Sequence, residues 1–223
     1  MPEKTARAAN HTGSVPVARS PLALEGETVI VDGWEYAARA AAGPLVVADR
    51  STLAKVQVRA AATPEVIAAI GTRFGRVAWR GNRLVVGSGP DEWLVLGAPG
   101  AAGEIAEDLR SLVGAADPRE VAIIDLTHGR ALVRVSGPET MSLMERITAV
   151  DLDDRLVPNG SALRSSLAKV VTDIVRDDRD GSPSFLLHCE RSSGRYLQES
   201  LLAVGADLGA VADSTHPAWP DHP

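Results

Sequence analysis

The chain has 223 residues, 45% of them apolar and 23% charged, with a formal net charge of −6. This is a globular composition with material for one large core or two small ones, and its sign argues against nucleic acid or an anionic membrane as the main partner, since both need a basic face. A single cysteine excludes an internal disulfide and a cysteine-based metal cluster, and no stretch approaches the roughly 18 consecutive apolar residues of a spanning helix.

Residues 1–19 hold no apolar run, so no secretory signal is predicted there. Gly13, Ser14, Pro16 and scattered charges predict an arm with no structure of its own, either disordered or lying on a partner. Residues 20–204 are predicted to form one α+β domain of two repeated units, about 27–118 and 119–204. The first copy begins at Leu45-Val46-Val47-Ala48-Asp49-Arg50-Ser51-Thr52 and continues into a strand at 55–59. Thr63-Pro64 then opens a helix, with threonine as N-cap and proline in the first turn. Strands at 76–80 and 83–87 flank Gly81-Asn82, a two-residue hairpin signal. Ser88-Gly89-Pro90 turns the chain into a strand at 91–96, and a helix at about 102–113 follows, with Ile105, Leu109 and Leu112 on one face and Gly114 as its stop.

The second copy opens with the β-branched run 121–124, which reads as a buried strand. His128-Gly129 is placed as a hairpin reversal, and Leu132, Val133 and Val135 as the returning strand, with Arg134 facing outward. Ser136-Gly137-Pro138 leads into a helix whose apolar side is Met141, Leu143, Met144 and Ile147. An extra loop is predicted at about 148–165 and one long strand at 167–176. After the turn Asp177-Asp178-Arg179-Asp180-Gly181, Phe185, Leu187 and Cys189 alternate with Leu186, His188 and Glu190. Ser192 or Ser193 caps a closing helix. Asp49 and Asp125 are 76 apart and Pro64 and Pro138 are 74 apart, a near-constant offset that makes each unit β-β-α-β-β-α. Residues 205–223, with Asp207, Asp213, Asp221, Pro217, Pro220 and Pro223, are predicted to be a tail without regular structure.

No complete catalytic constellation is visible, so no catalytic, cofactor-binding or metal-ligating residue is assigned. Cys189 shares its face with Phe185 and Leu187 and reads as a small buried core residue; a nucleophile would want an electropositive, partly exposed setting. His128 could act as a general base, but a histidine in a turn is ordinarily solvated. His188 points away from Cys189, which argues against a Cys–His pair, and His11, His216 and His222 share no metal-ligand spacing. The pairs Asp153–Asp154 and Asp177–Asp178 read as solvated surface, without EF-hand spacing around them. Neither Ser-Gly-Pro corner is part of a phosphate loop. Trp219, flanked by Pro217 and Pro220, has little chance of local packing; together with the N-terminal arm it is read as an anchor for partner chains, the alternative being an idle tail.

Three segments carry a resemblance: Ser88-Gly89-Pro90-Asp91-Glu92-Trp93-Leu94; Asp125-Leu126-Thr127-His128-Gly129-Arg130 continuing to Val135-Ser136-Gly137-Pro138; and Asp151-Leu152 with Pro158-Asn159-Gly160. They resemble the gamma subunit of heterotetrameric sarcosine oxidase. Ser20-Pro21-Leu22 and the stretch from Phe185 to Ser193, followed by Tyr196-Leu197, fit the same pattern, so the resemblance covers roughly 20–204. It implies a fold similar to the folate-binding portion of the glycine-cleavage aminomethyltransferase. It implies a bacterial, cytoplasmic complex with alpha, beta and delta subunits that oxidises an N-methyl amine and passes the one-carbon unit to tetrahydrofolate. FAD, FMN, NAD and zinc are then expected on the other subunits: flavin on beta or between alpha and beta, NAD and the folate site on alpha, zinc on delta. The resemblance implies no cofactor or catalytic residue on the gamma chain. A freestanding folate-dependent aminomethyltransferase-like protein and a folate-fold scaffold are the alternatives. The first is disfavoured because the chain is short for the enzyme's extra C-terminal domain, and because Cys189 stands in Leu-His-Cys-Glu rather than in the Lys-Gly-Cys-Tyr-x-Gly-Gln motif of the related folate-binding iron–sulfur repair proteins.

Overall fold

A computed structural model describes residues 16–113 and 120–220. Most of the predicted N-terminal arm, His11, Gly114 and His222 therefore lie outside the described residues. In chain order the strands and helices are β1 (Thr28–Val31), β2 (Trp34–Ala37), β3 (Leu45–Asp49), β4 (Ala54–Arg59), α1 (Pro64–Ile70), β5 (Val77–Arg80), β6 (Arg83–Gly89), β7 (Glu92–Gly97) and α2 (Ala102–Leu112). They continue with β8 (Ala122–Asp125), β9 (Arg130–Ser136), α3 (Thr140–Ile147), β10 (Ala162–Leu167), β11 (Val170–Arg176), β12 (Ser184–Glu190), α4 (Gly194–Val204) and β13 (Ala210–Asp213). Among the described residues no helix is long and apolar enough to cross a membrane.

The α+β class is as expected. Two mostly antiparallel sheets carry it, one ordered β5-β6-β7-β4-β8 and the other β10-β11-β12-β9-β3-β13. β3 leaves the strands that follow it to pair with β9, and β8 leaves its own followers to pair with β4. The sheets stack face to face with helices outside. Ile105, Ala106 and Leu109 of α2 cover Val56, Val58, Trp93 and Val95. Leu143, Met144, Leu197 and Leu201 of α3 and α4 cover Val47, Val133, Val135, Phe185 and Leu187. Between the sheets, Leu84, Val86, Leu94 and Leu96 meet Leu132, Val175 and Leu186. Central strands are thus buried on both faces, which is why 93–96 and 185–187 are unbroken apolar runs rather than alternating ones.

Local signals act where expected. Thr63 Oγ1 accepts the Val66 N–H at 3.3 Å, with Pro64 as the first residue of α1. The closing helix α4 does start after Ser193, but the expected serine cap is not made: the Ser193 side chain forms no cap hydrogen bond among the described residues.

Four expectations need correction, and one element was not anticipated. The run 121–124 and the strand after His128-Gly129 are not a hairpin: β8 is an edge strand of one sheet and β9 belongs to the other. The Gly129 and Arg130 N–H groups both bond back to the Leu126 carbonyl, which swings the chain across instead of reversing it. The predicted long strand is two, β10 and β11, joined by Ala168 and Lys169 at φ 45° and 69°. That turn geometry normally announces itself with Asn or Gly, so its residues gave no sign. Arg134 does not face outward; it is buried between the sheets. Part of the predicted C-terminal tail is ordered, because β13 pairs in parallel with β3. Finally, the sequence reading left out the ribbon β1–β2, although Asp32-Gly33 between alternating apolar residues is a hairpin signal. Ala18, inside the predicted arm, bridges to Trp34 of that ribbon.

Candidate functional site: the polar junction between the sheets

Two turns cross where the chain passes from one sheet to the other. Asp49 Oδ1 accepts the Ser51 N–H at 2.8 Å, and Asp125 Oδ1 accepts the Thr127 N–H at 2.8 Å. Each hydroxyl then takes a backbone N–H from the opposite crossing: Leu132 to Ser51 Oγ and Lys55 to Thr127 Oγ1, both at 3.1 Å. Arg50 N–H bonds to the Leu132 carbonyl and Leu126 N–H to the Lys55 carbonyl. Short polar side chains at these places satisfy backbone groups that a buried crossover would otherwise strand.

Lys55 is the exception in chemistry. Its side chain is fully buried, and Nζ donates to the carbonyls of Ser51 at 2.6 Å and Leu53 at 2.9 Å. Burial pushes its pKa down to about 7, against the opposing pull of Asp49 and Asp125.

A line of charges runs from one sheet to the other beside this crossing. Arg59 of β4 grips Glu92 of β7 through Nε and Nη2, at 2.9 and 2.6 Å. Arg164 of β10 reaches Glu92 at 3.2 Å and also pairs with Asp173 of β11. Asp173 Oδ2 lies 3.2 Å from His188 Nδ1 on β12. Burial works to raise the Asp173 pKa, but hydrogen bonds from His188 and Arg164 outweigh it and hold the carboxyl below its usual range. Burial lowers the His188 pKa against the pull of Asp173. Its Nε2 is buried with no hydrogen-bond partner among the described residues.

A second cluster closes the far end. Arg134 donates to Ser184 Oγ at 2.8 Å and to Asp177 at 2.9 Å; Arg179 and Trp79 Nε1 also donate to Asp177. Arg176 binds Asp154, the Val157 carbonyl and Asp178. Asp153 and Asp154 lie at the exposed surface, as expected, although each also holds an arginine; the other pair does not, since Asp177 is buried and Asp178 pairs with Arg176. Adjacent carboxylates in a turn look alike in sequence whether or not arginines from distant strands fold over them.

The remaining candidates fall apart spatially. Cys189 faces the helix-covered core, and burial pushes its thiol up to about 11. His128 is exposed but stacks flat on Trp34, centroids 4.7 Å apart. His216 packs against Tyr36. Trp219 does not reach outward as expected: its ring lies 5.2 Å from that of Trp79 and its Nε1 donates to the Asn82 carbonyl at 2.6 Å. Asp173 and His188 are 8% and 4% exposed, so the pair is closed off from solvent, whereas a general base must reach the proton it takes. Among the described residues no group of three or more His, Cys, Asp or Glu could hold a metal ion.

The sarcosine oxidase, gamma subunit family matches residues 54–206. The chain belongs to this family. No curated protein sequence matches it. One chain of the heterotetrameric sarcosine oxidase from Corynebacterium sp. U-96, in complex with pyrrole 2-carboxylate, has a similar fold: TM-score 0.63 at 20% identity, over 77% of this chain and 90% of that one. The glycine cleavage system aminomethyltransferase T from Bartonella henselae gives TM-score 0.62 at 15% identity, over 84% of this chain and 55% of that one. The residues that carry the gamma-subunit resemblance work as braces. Asp91 Oδ1 accepts the Ala62 N–H at 2.8 Å, Glu92 joins the two sheets, and buried Trp93 donates to the Thr72 carbonyl at 2.8 Å. Asp125 and Thr127 hold the crossing.

Proposed function

We propose that the chain is the non-catalytic, structural gamma subunit of a bacterial, cytoplasmic flavoprotein amine oxidase. The heterotetramer oxidatively demethylates an N-methyl amino acid and passes the one-carbon unit to tetrahydrofolate. In this reading FAD, FMN, NAD and zinc reside on the alpha, beta and delta subunits, and this chain contributes no catalytic, cofactor-binding or metal-binding residue. The observation that carries it is the gamma-subunit family match across residues 54–206. The inward use of the charged groups supports it, since Glu92, Asp173 and Asp177 are each engaged by arginines and the Arg164–Glu92 pair ties the two sheets together. The test is co-expression with the alpha, beta and delta subunits, with and without this chain. A yellow complex that retains the chain, and loses yield and oxidase activity without it, is expected. Tight binding of a reduced folate by the isolated chain, with no retention in the complex, would instead favour a freestanding folate protein.

A further inference from the structure

Phe74 and Leu156 are 55% and 64% exposed, and they line one cleft of about 580 Å³ together with Arg73, Arg76 and Leu163. Single exposed apolar residues are ordinary; two bulky ones on one cleft mark a contact surface. Both are held out by rigid backbone. The Phe74 loop lies flat on Gly87, where a Cβ would come within 2.1 Å of the Arg73 carbonyl oxygen. The same loop is tied by Gly75 N–H to the Gly87 carbonyl and Ala162 N–H to the Gly75 carbonyl. Leu156 rides on a turn whose N–H groups at Leu156 and Val157 both bond to the Asp153 carbonyl, while Arg155 clamps the Asp153 carboxylate and Arg176 the Val157 carbonyl. Such pre-organisation lowers the entropy lost on docking.

Charge decides what fits. Neither Arg73 nor Arg76 forms an ion pair among the described residues; Arg76 only approaches Ser161 Oγ, at 3.5 Å. On a chain of net charge −6 this cleft presents two uncompensated cations. A second copy docked by a twofold through the cleft would set these arginines against their own equivalents, like charge on like. We infer that the Phe74–Leu156 cleft is the seat for an acidic segment with apolar side chains on another subunit of the oxidase. This rests on the gamma-subunit reading above.

The experiment titrates the purified full-length chain against the co-expressed alpha, beta and delta subunits. The double variants Phe74→Ser/Leu156→Ser and Arg73→Glu/Arg76→Glu should each bind at least about 30-fold more weakly, the size of a central interface contact. Each should keep the wild-type unfolding midpoint, because all four side chains are exposed. The loss in the arginine variant should shrink as salt is raised. Ile30→Ser, on the exposed face of β1, should bind like wild type. Wild-type affinity in both correctly folded double variants overturns the inference. So does a self-association of the isolated chain that these variants abolish, which would make a second copy the occupant. If the wild-type chain itself fails to bind the other subunits, the gamma-subunit reading falls and takes the cleft proposal with it.

Discussion

The two crossings at the heart of the molecule have the same geometry and different chemistry. In each an aspartate holds its own turn, and a hydroxyl two residues on takes an N–H from the opposite crossing. The residue that supplies that N–H is Leu132 at one crossing and Lys55 at the other. Leucine simply joins the core between the sheets, whereas lysine buries an amine on carbonyls of its own turn. What is common to the two crossings is therefore the backbone requirement, that N–H groups passing between buried sheets find acceptors. The side chain above that frame is free to differ as long as its polar atoms are satisfied.

The largest way to disturb this pairing lies in the six-stranded sheet. Leu187→Ala removes a fully buried side chain under α3 and α4 and should cost about 2–5 kcal/mol in urea unfolding. Ile124→Ala, on the edge strand of the other sheet and 46% exposed, should stay within about 0.5 kcal/mol. Equal losses at the two sites would mean that the central and edge strands do not differ in burial as described.

The lysine–leucine difference is sharpened by pH. The Lys55 pKa is lowered in the folded chain to about 7, so between there and the unfolded value the unfolded state binds more protons. Stability should therefore rise as pH rises from about 7 to about 10, by at most about 1.4 kcal/mol per unit. Lys55→Met, which makes this crossing resemble its counterpart, should flatten that rise while leaving the protein folded. Denaturant midpoints of both proteins across that range check it, and an unaltered slope in the variant would place the titration elsewhere.

Smaller effects are expected at the periphery. Trp219→Ala removes a tilted ring contact with Trp79 and the bond to the Asn82 carbonyl, and should cost about 1 kcal/mol in thermal or denaturant unfolding. No stability change is needed to test Cys189: the native thiol, buried and held protonated, should resist a thiol reagent at neutral pH and react fully after denaturation.

Much of this was readable beforehand where the signal is local. Thr63-Pro64, Gly81-Asn82 and the alternation around Cys189 state their structure within a few residues. All but one of the failures share a cause, which is distance along the chain. Trp219 finds its partner at Asn82, Asp177 is neutralised by Arg134, and β8 pairs with β4 rather than with its neighbour. The turn at Ala168-Lys169 failed for the opposite reason: it is local, but its residues are poor at positive φ and the surrounding sheet imposes it. As for the junction, Glu92, Asp173 and His188 sit in strands that looked apolar enough to be core, and only the stacking of two sheets reveals them as one line of charge.

The exchange of β3 and β8 between sheets has a consequence during synthesis. β3 leaves the ribosome long before Val133 and Val135 of β9 exist to pair with it, so its apolar residues Leu45 and Val47 wait unpaired while the five-stranded sheet begins to form. That sheet in turn lacks its β8 edge until the second half starts to emerge. Neither half can complete itself on the nascent chain, and pairing between such remote segments is slow. The chain thus reaches its native state only after nearly all of it has been made, a late commitment that leaves unpaired strands open to capture in the meantime.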